Sequence, residues 1–154
     1  GQTAVPCGCT YLLPWGRRFM AKQQNMKKTN ISSPYQASRS YSPLVMTEGG
    51  KTVWLAGIIA AEDESGASLN CNFDGQVRCI FRKMAASLVQ VGGSLNEVVN
   101  MTIYITNVEN NGRFVELRKE FFFSDYPAST LVTVAALNRP EYLVEISAIA
   151  VLPD

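Results

Sequence analysis

The chain has 154 residues, 47% of them hydrophobic, with 14 basic and 13 acidic side chains and a formal net charge of +1. Length and apolar share fit one domain with a substantial core, and the balanced charge leaves no surplus for a polyanion. Histidine is absent, which excludes Ser-His-Asp and Cys-His nucleophilic catalysis and any histidine-bearing metal site.

No apolar run approaches the roughly 20 residues that span a bilayer, so no membrane partner is expected. The four cysteines, Cys7, Cys9, Cys71 and Cys79, show neither a CxxC pair nor a zinc spacing. They read as structural or incidental, in a reducing cytoplasm. No metal or cofactor is expected.

Residues 1–25 read as an N-terminal extension or expression remnant. They combine Cys7-Gly8-Cys9, the apolar Tyr11-Leu12-Leu13-Pro14-Trp15 and Arg17-Arg18, the reverse of the order a signal peptide needs. The domain is placed at 26–154. Residues 29–43, rich in Ser, Pro and Tyr, predict an extended arm rather than a helix.

A strand begins at Leu44–Met46, and Glu48-Gly49-Gly50-Lys51 turns the chain. Val53 to Ile59 returns as a nearly continuous apolar strand, which suggests burial on both faces. Glu62 to Asn72 is polar and reads as a surface loop with room for one short strand. Val77, Ile80, Phe81, Met84 and Leu88 then recur at helical spacing, with Asp74 near the positive end and Gly92-Gly93 as the stop.

Ser94-Leu95-Asn96-Glu97 reads as a capping box opening one turn. Val99, Met101, Ile103 and Ile105 alternate with polar residues and predict a half-buried strand. Asn110-Asn111-Gly112 breaks the chain before a second helix, with Phe114, Leu117 and Phe121 on one face. Thr130 to Leu137 predicts a strand, Asn138-Arg139-Pro140 a turn, and Tyr142 to Leu152 the last strand. There Val144, Ile146, Ala148 and Ala150 form one face, and Leu143, Glu145, Ser147 and Ile149 the other. Two helices cannot cover both faces of such a sheet, so they pack on one face and the class is α+β. The other face carries Trp54 and predicts self-association.

Several segments, in this order, carry a resemblance: Ile31-Ser32-Ser33 with Tyr41-Ser42; Ala56-Gly57; Val91-Gly92-Gly93-Ser94-Leu95; Thr102-Ile103-Tyr104-Ile105; Phe121-Phe122; Pro127-Ala128-Ser129-Thr130-Leu131-Val132; and Val144-Glu145-Ile146. Together they resemble the Rid family (YjgF-type, RidA-like proteins, also labelled endoribonuclease L-PSP), many of which deaminate reactive imines. The resemblance implies a chorismate-mutase-like α+β domain, assembled as a homotrimer with a central barrel and three inter-subunit clefts for a small molecule. It also implies roles: Glu145 handles the attacking water, Tyr41 and Gly57 line the cleft, and Ser129 and Thr130 stand at the substrate-binding signature.

In the deaminating branches that signature reads Pro-Ala-Arg, and its arginine grips the substrate carboxylate; here the third residue is Ser129. Leu131 replaces a frequent cleft cysteine, and Ala56 a common serine. A guanidinium gives a carboxylate a bidentate, charge-assisted clamp, whereas a serine hydroxyl offers one neutral donor. The substrate is therefore expected not to be a simple 2-imino acid. Arg113, Arg118 or Arg139 could take its place by reaching the cleft from a neighbouring subunit, though each reads first as an exposed, solvated arginine. Glu145 carries two readings, an acid/base group in the cleft or a structural glutamate bonded to backbone or to a neighbouring chain.

The leading functional expectation is a hydrolase releasing ammonia from an imine or enamine metabolite. A non-catalytic trimer binding a metabolite in the same clefts is the alternative. Ribonuclease activity ranks last, because nucleic acid is not an expected partner of a chain with no basic surplus.

Overall fold

A computed structural model describes residues 25–154; residues 1–24, with Cys7, Cys9 and most of the expected extension, lie outside the described residues. The framework is a four-stranded sheet in the order β3 (Lys51–Ile58), β6 (Val144–Leu152), β4 (Val98–Ile105), β5 (Ala128–Thr133). β6 runs antiparallel to both β3 and β4, while β4 and β5 are parallel. β4 and β5 are joined through α3 (Asn110–Arg118), the crossover a parallel pair requires.

Alternation in β4 and β6 decides which face is covered. Met101, Ile103, Ile105, Val144, Ile146 and Ala150 are fully buried, and the residues between them only partly. The buried set meets α2 (Phe73–Val89), whose Val77, Ile80, Phe81, Met84 and Leu88 form one stripe at 0% exposure. Phe81 ties this helix to the next, its ring centroid 5.0 Å from that of Phe121, 5.5 Å from that of Phe122 and 6.1 Å from that of Phe114. Both long helices lie on one face of a mixed sheet, as an α+β domain requires. No helix among the described residues is long and apolar enough to cross a membrane.

Four expectations need correction. Residues 29–43 are not an extended arm throughout: β1 (Lys27–Ile31) pairs antiparallel with β2 (Leu44–Glu48), and α1 (Pro34–Ser38) lies between them. The helix forms because Ser33 caps it reciprocally with Gln36 and Pro34 occupies the first turn. β2 and β3 join through Gly49 and Gly50, both at positive φ, yet β2 pairs with β1 and β3 with β6. β3 is not buried on both faces, since it is the sheet's edge and Trp54 on it is 76% exposed. Asn110-Asn111-Gly112 lies inside α3 rather than before it, and that helix ends at Arg118, short of Phe121.

The turns and caps of the middle region follow the sequence. Gly92 adopts a φ of 80° and Gly93 donates its N–H to the Leu88 carbonyl, closing α2. Ser94 and Glu97 form the reciprocal cap of a single 3-10 turn, Leu95–Glu97. The polar loop holds one isolated bridge, Glu62 to Ser68.

The β1–β2 ribbon is fastened beside the start of β5. Asn30 Nδ2 donates to the Tyr126 carbonyl at 2.8 Å, and the Ser42 N–H donates to the Pro127 carbonyl at 3.0 Å. Ser42 also bridges Ala128 in a parallel sense. This attachment delivers Arg39, Ser40 and Tyr41 to the open end of α3.

Candidate functional site

The residues singled out in the sequence fall into two groups on opposite faces of the sheet. Register assigns each: Ser129 pairs with the buried Met101 and Leu131 with the buried Ile103, so both face the helices. Glu145 pairs with Tyr104 and alternates with buried Val144 and Ile146, so it faces the uncovered side. Thr130, opposite Thr102, is exposed on that same uncovered side.

On the uncovered face Glu145 and Gly57 form a unit. β3 breaks register between Leu55 and Ile58, a bulge that turns the Gly57 backbone toward β6. A Cβ at Gly57 would overlap Oε1 of Glu145 and stand 2.9 Å from its Cδ, so only glycine admits the carboxylate here. The half-buried carboxylate has no hydrogen-bond partner among the described residues, leaving its oxygens available to a water or a substrate.

On the helix side a cavity of about 250 Å³ is lined by Arg39, Tyr41, Asn111, Val115, Arg118, Ser129 and Leu131. Tyr41 and Ser129 both line it, whereas Glu145, Gly57 and Thr130 do not. Its centre is Arg118, only 3% exposed, which corrects the reading of this arginine as solvated. Arg113 and Arg139 are in fact exposed, paired with Asp74 and Glu141.

Arg118 is reached from α3 and held from three sides. Nε donates to Ser40 Oγ at 3.0 Å, Nη1 to Ser129 Oγ at 2.6 Å and Nη2 to the Arg39 carbonyl at 2.7 Å. The guanidinium also lies 5.3 Å from the centroid of the Phe114 ring. Ser40 sits at a φ of 56°, a left-handed conformation that is costly for a residue with a Cβ. That turn places the Ser40 hydroxyl and the Arg39 carbonyl on the same guanidinium.

No carboxylate among the described residues lies within ion-pair distance of Arg118 or Arg39. Burial, and then the positive charge of Arg39, pull the Arg118 pKa well below the ordinary arginine value, to about 10, opposed by Tyr41. The cavity therefore concentrates positive charge and holds none of the opposite sign. A larger depression, lined by Ile59, Ala61, Glu62, Asp63, Lys83 and Tyr142, lacks a buried charge.

Arg39 and Ser40 were missed in the sequence, and Arg118 was read there as solvated, its reach into a cleft only the alternative. The signal for Arg118 was its place four residues after Phe114 and one after Leu117, on the buried stripe of its helix. Nothing in the sequence marked Ser40 beyond its nearness to Tyr41.

The family model described as Endoribonuclease L-PSP matches residues 31–152. A 2-iminobutanoate/2-iminopropanoate deaminase of Dermatophagoides farinae is 31% identical over 127 residues, 81% of this chain and 97% of that protein. A RutC family protein of Pyrococcus abyssi is 30% identical over 101 residues, 66% of this chain and 79% of its own length. Among solved structures, RidA from the Antarctic bacterium Psychrobacter sp. superposes with a TM-score of 0.61 at 30% identity, covering 73% of this chain and 89% of that one. A Rid protein of unknown function from Yersinia pestis, YyfB, shares the fold with a TM-score of 0.71 at 24% identity, over 83% of this chain and 99% of the other. With almost every described element inside the matched span, the chain belongs to the Rid (YjgF) family.

Proposed function

We propose that the chain is a hydrolytic deaminase of a reactive imine or enamine metabolite in the cytoplasm, working in clefts between the subunits of a homotrimer. The observation that carries this reading is the Glu145 carboxylate seated against Gly57, with no hydrogen-bond partner among the described residues. The likeness to a 2-iminobutanoate/2-iminopropanoate deaminase over 81% of the chain supports the same reaction class.

The reaction needs little machinery. An enamine tautomerises to the imine, and water adds to the imine carbon. Glu145 positions that water and takes its proton, the nitrogen is protonated, and the C–N bond breaks to leave a carbonyl and ammonia. Because Glu145 and the Ser129 cavity face opposite sides of one sheet, a complete site takes the glutamate of one subunit and the cavity of the next. The exposed Trp54 and the uncovered sheet face supply the surface for that assembly.

With Ser129 at the position of the family's arginine, the substrate is one other than the simple 2-imino acids. The test is ammonia release from 2-iminobutanoate, 2-iminopropanoate and longer imino or enamino acids generated in situ, by wild type and Glu145→Gln. Turnover that falls at least a hundredfold in Glu145→Gln is expected, in the range of general acid–base contributions of about 10²–10⁴. Silence of wild type on every substrate overturns the deaminase and leaves a metabolite-binding trimer.

A further inference from the structure

We infer that Arg118, on α3, replaces the arginine missing from position 129 and makes the helix-side cavity a binding site for the substrate's carboxylate, with Ser129 as its positioning residue. The inference deepens the deaminase reading and rests on it for the identity of the ligand as substrate. The geometry stands without that reading.

The argument starts from what the guanidinium lacks. Arginine carries five N–H groups, and Ser40, Ser129 and the Arg39 carbonyl accept three of them. Two N–H groups, one on Nη1 and one on Nη2, remain without an acceptor among the described residues. A side chain 3% exposed, with no carboxylate near it, bears a desolvation cost that a bound anion relieves. Arg39 lies beside it in the cavity wall and adds a second positive charge. Its own contact to Asn111 Oδ1 is 3.4 Å, long enough to yield to a ligand.

The position is as telling as the charge. Nη1 of Arg118 lies 2.6 Å from the hydroxyl of Ser129, so the cation sits where a long side chain on β5 would otherwise extend. A serine there leaves room for a guanidinium arriving from the helix and fixes its rotation with one hydrogen bond. An arginine at 129 would meet Arg118 as a like charge. The two positions are therefore alternatives, and this chain has moved the clamp from strand to helix. The carboxylate is then approached from a different direction, which shifts the substrates it orients well.

The experiment is calorimetric titration of the folded, assembled protein with 2-oxobutanoate and 2-oxohexanoate, and with the neutral amide of each. Wild type is expected to bind at least one acid at millimolar concentration and to bind its amide at least tenfold more weakly. Arg118→Met is expected to lose about tenfold to a hundredfold in acid affinity, the span of one or two charge-assisted hydrogen bonds. Ser129→Ala, which keeps the cation, should lose less. Ser129→Arg alone should gain nothing, whereas the exchange Arg118→Ser with Ser129→Arg should restore binding. That double variant keeps the test decisive if Arg118→Met fails to fold.

Equal affinity for acid and amide, or an unchanged affinity in folded Arg118→Met, overturns the inference, as does wild type binding neither acid. Arg118-dependent binding without ammonia release would sink the deaminase and leave the carboxylate site standing.

Discussion

Gly57 and Glu145 make the sharpest case at the scale of single residues. Adding one methyl group in Gly57→Ala displaces only the far end of a flexible side chain, so the cost in stability is expected to be about 1 kcal/mol or less. Ammonia release should nevertheless fall steeply, because a carboxylate moved by an ångström no longer orients the water. Thermal unfolding and turnover measured on one preparation separate the two effects. A variant that melts early and keeps its turnover would show that the glycine serves packing alone.

Arg118 supplies a pH dependence with a definite sign. Its folded pKa, about 10, lies well below the ordinary arginine value. The burial penalty is therefore present at neutral pH and is relieved as pH rises through about 10, so this group's own effect on stability improves there. Carboxylate binding runs the other way: it needs the charged form, holds below pH 10 and weakens above it. A ligand-bound protein should retain the charge to higher pH than the free one. A titration of 2-oxobutanoate binding from neutral to strongly alkaline pH checks this; an affinity flat across pH 10 would detach Arg118 from the ligand.

Among the elements, α2 and α3 are joined by an aromatic contact and by charge. Phe81 meets Phe114, Phe121 and Phe122, and Phe81→Ala is expected to cost about 3–5 kcal/mol, read by chemical denaturation. Asp74, in the first turn of α2, bonds Arg113 of α3, and that hydrogen bond holds its carboxyl below the ordinary value of 3.8. Its stabilising effect is complete above that pH and disappears as the pH falls through the lower folded value. Both helices were legible because their stripes repeat with helical period, and β4 and β6 because buried and half-buried residues alternate. What the sequence concealed was set by long-range contact. Ser33, Pro34 and Gln36 carried a local helix-start signal that was passed over, but nothing local reveals that β1 and β2 pair around that helix, and β3 looked buried because it is nearly all apolar although it lies at the sheet's edge.

At the scale of the whole fold, the sheet face left uncovered among the described residues is the dominant fact. Trp54 is 76% exposed on the edge strand, opposite Ile149. Trp54→Glu places a charge where a subunit should pack, and the assembly is expected to dissociate, observed as a smaller mass in sedimentation or light scattering. An unchanged mass would remove this face from the assembly. The candidate site was only half legible for the same reason. Glu145, Gly57, Tyr41 and Ser129 stood out as single positions, but which of them share a face depends on register, and register is a property of four strands together.

On the proposed reading, the placement of Glu145 and Arg118 on opposite sides of one sheet makes each folded chain a carrier of two half-sites that it can never close on itself. Catalysis then becomes a property of neighbours, and genetics can read it. Chains bearing Glu145→Gln and chains bearing Arg118→Met, each impaired alone, should raise one another's activity when unfolded, mixed and refolded. About a quarter of the clefts then combine two intact halves, by random pairing of equal amounts. Dilution should silence the wild type before it unfolds, so its specific activity would report the concentration of the protein itself.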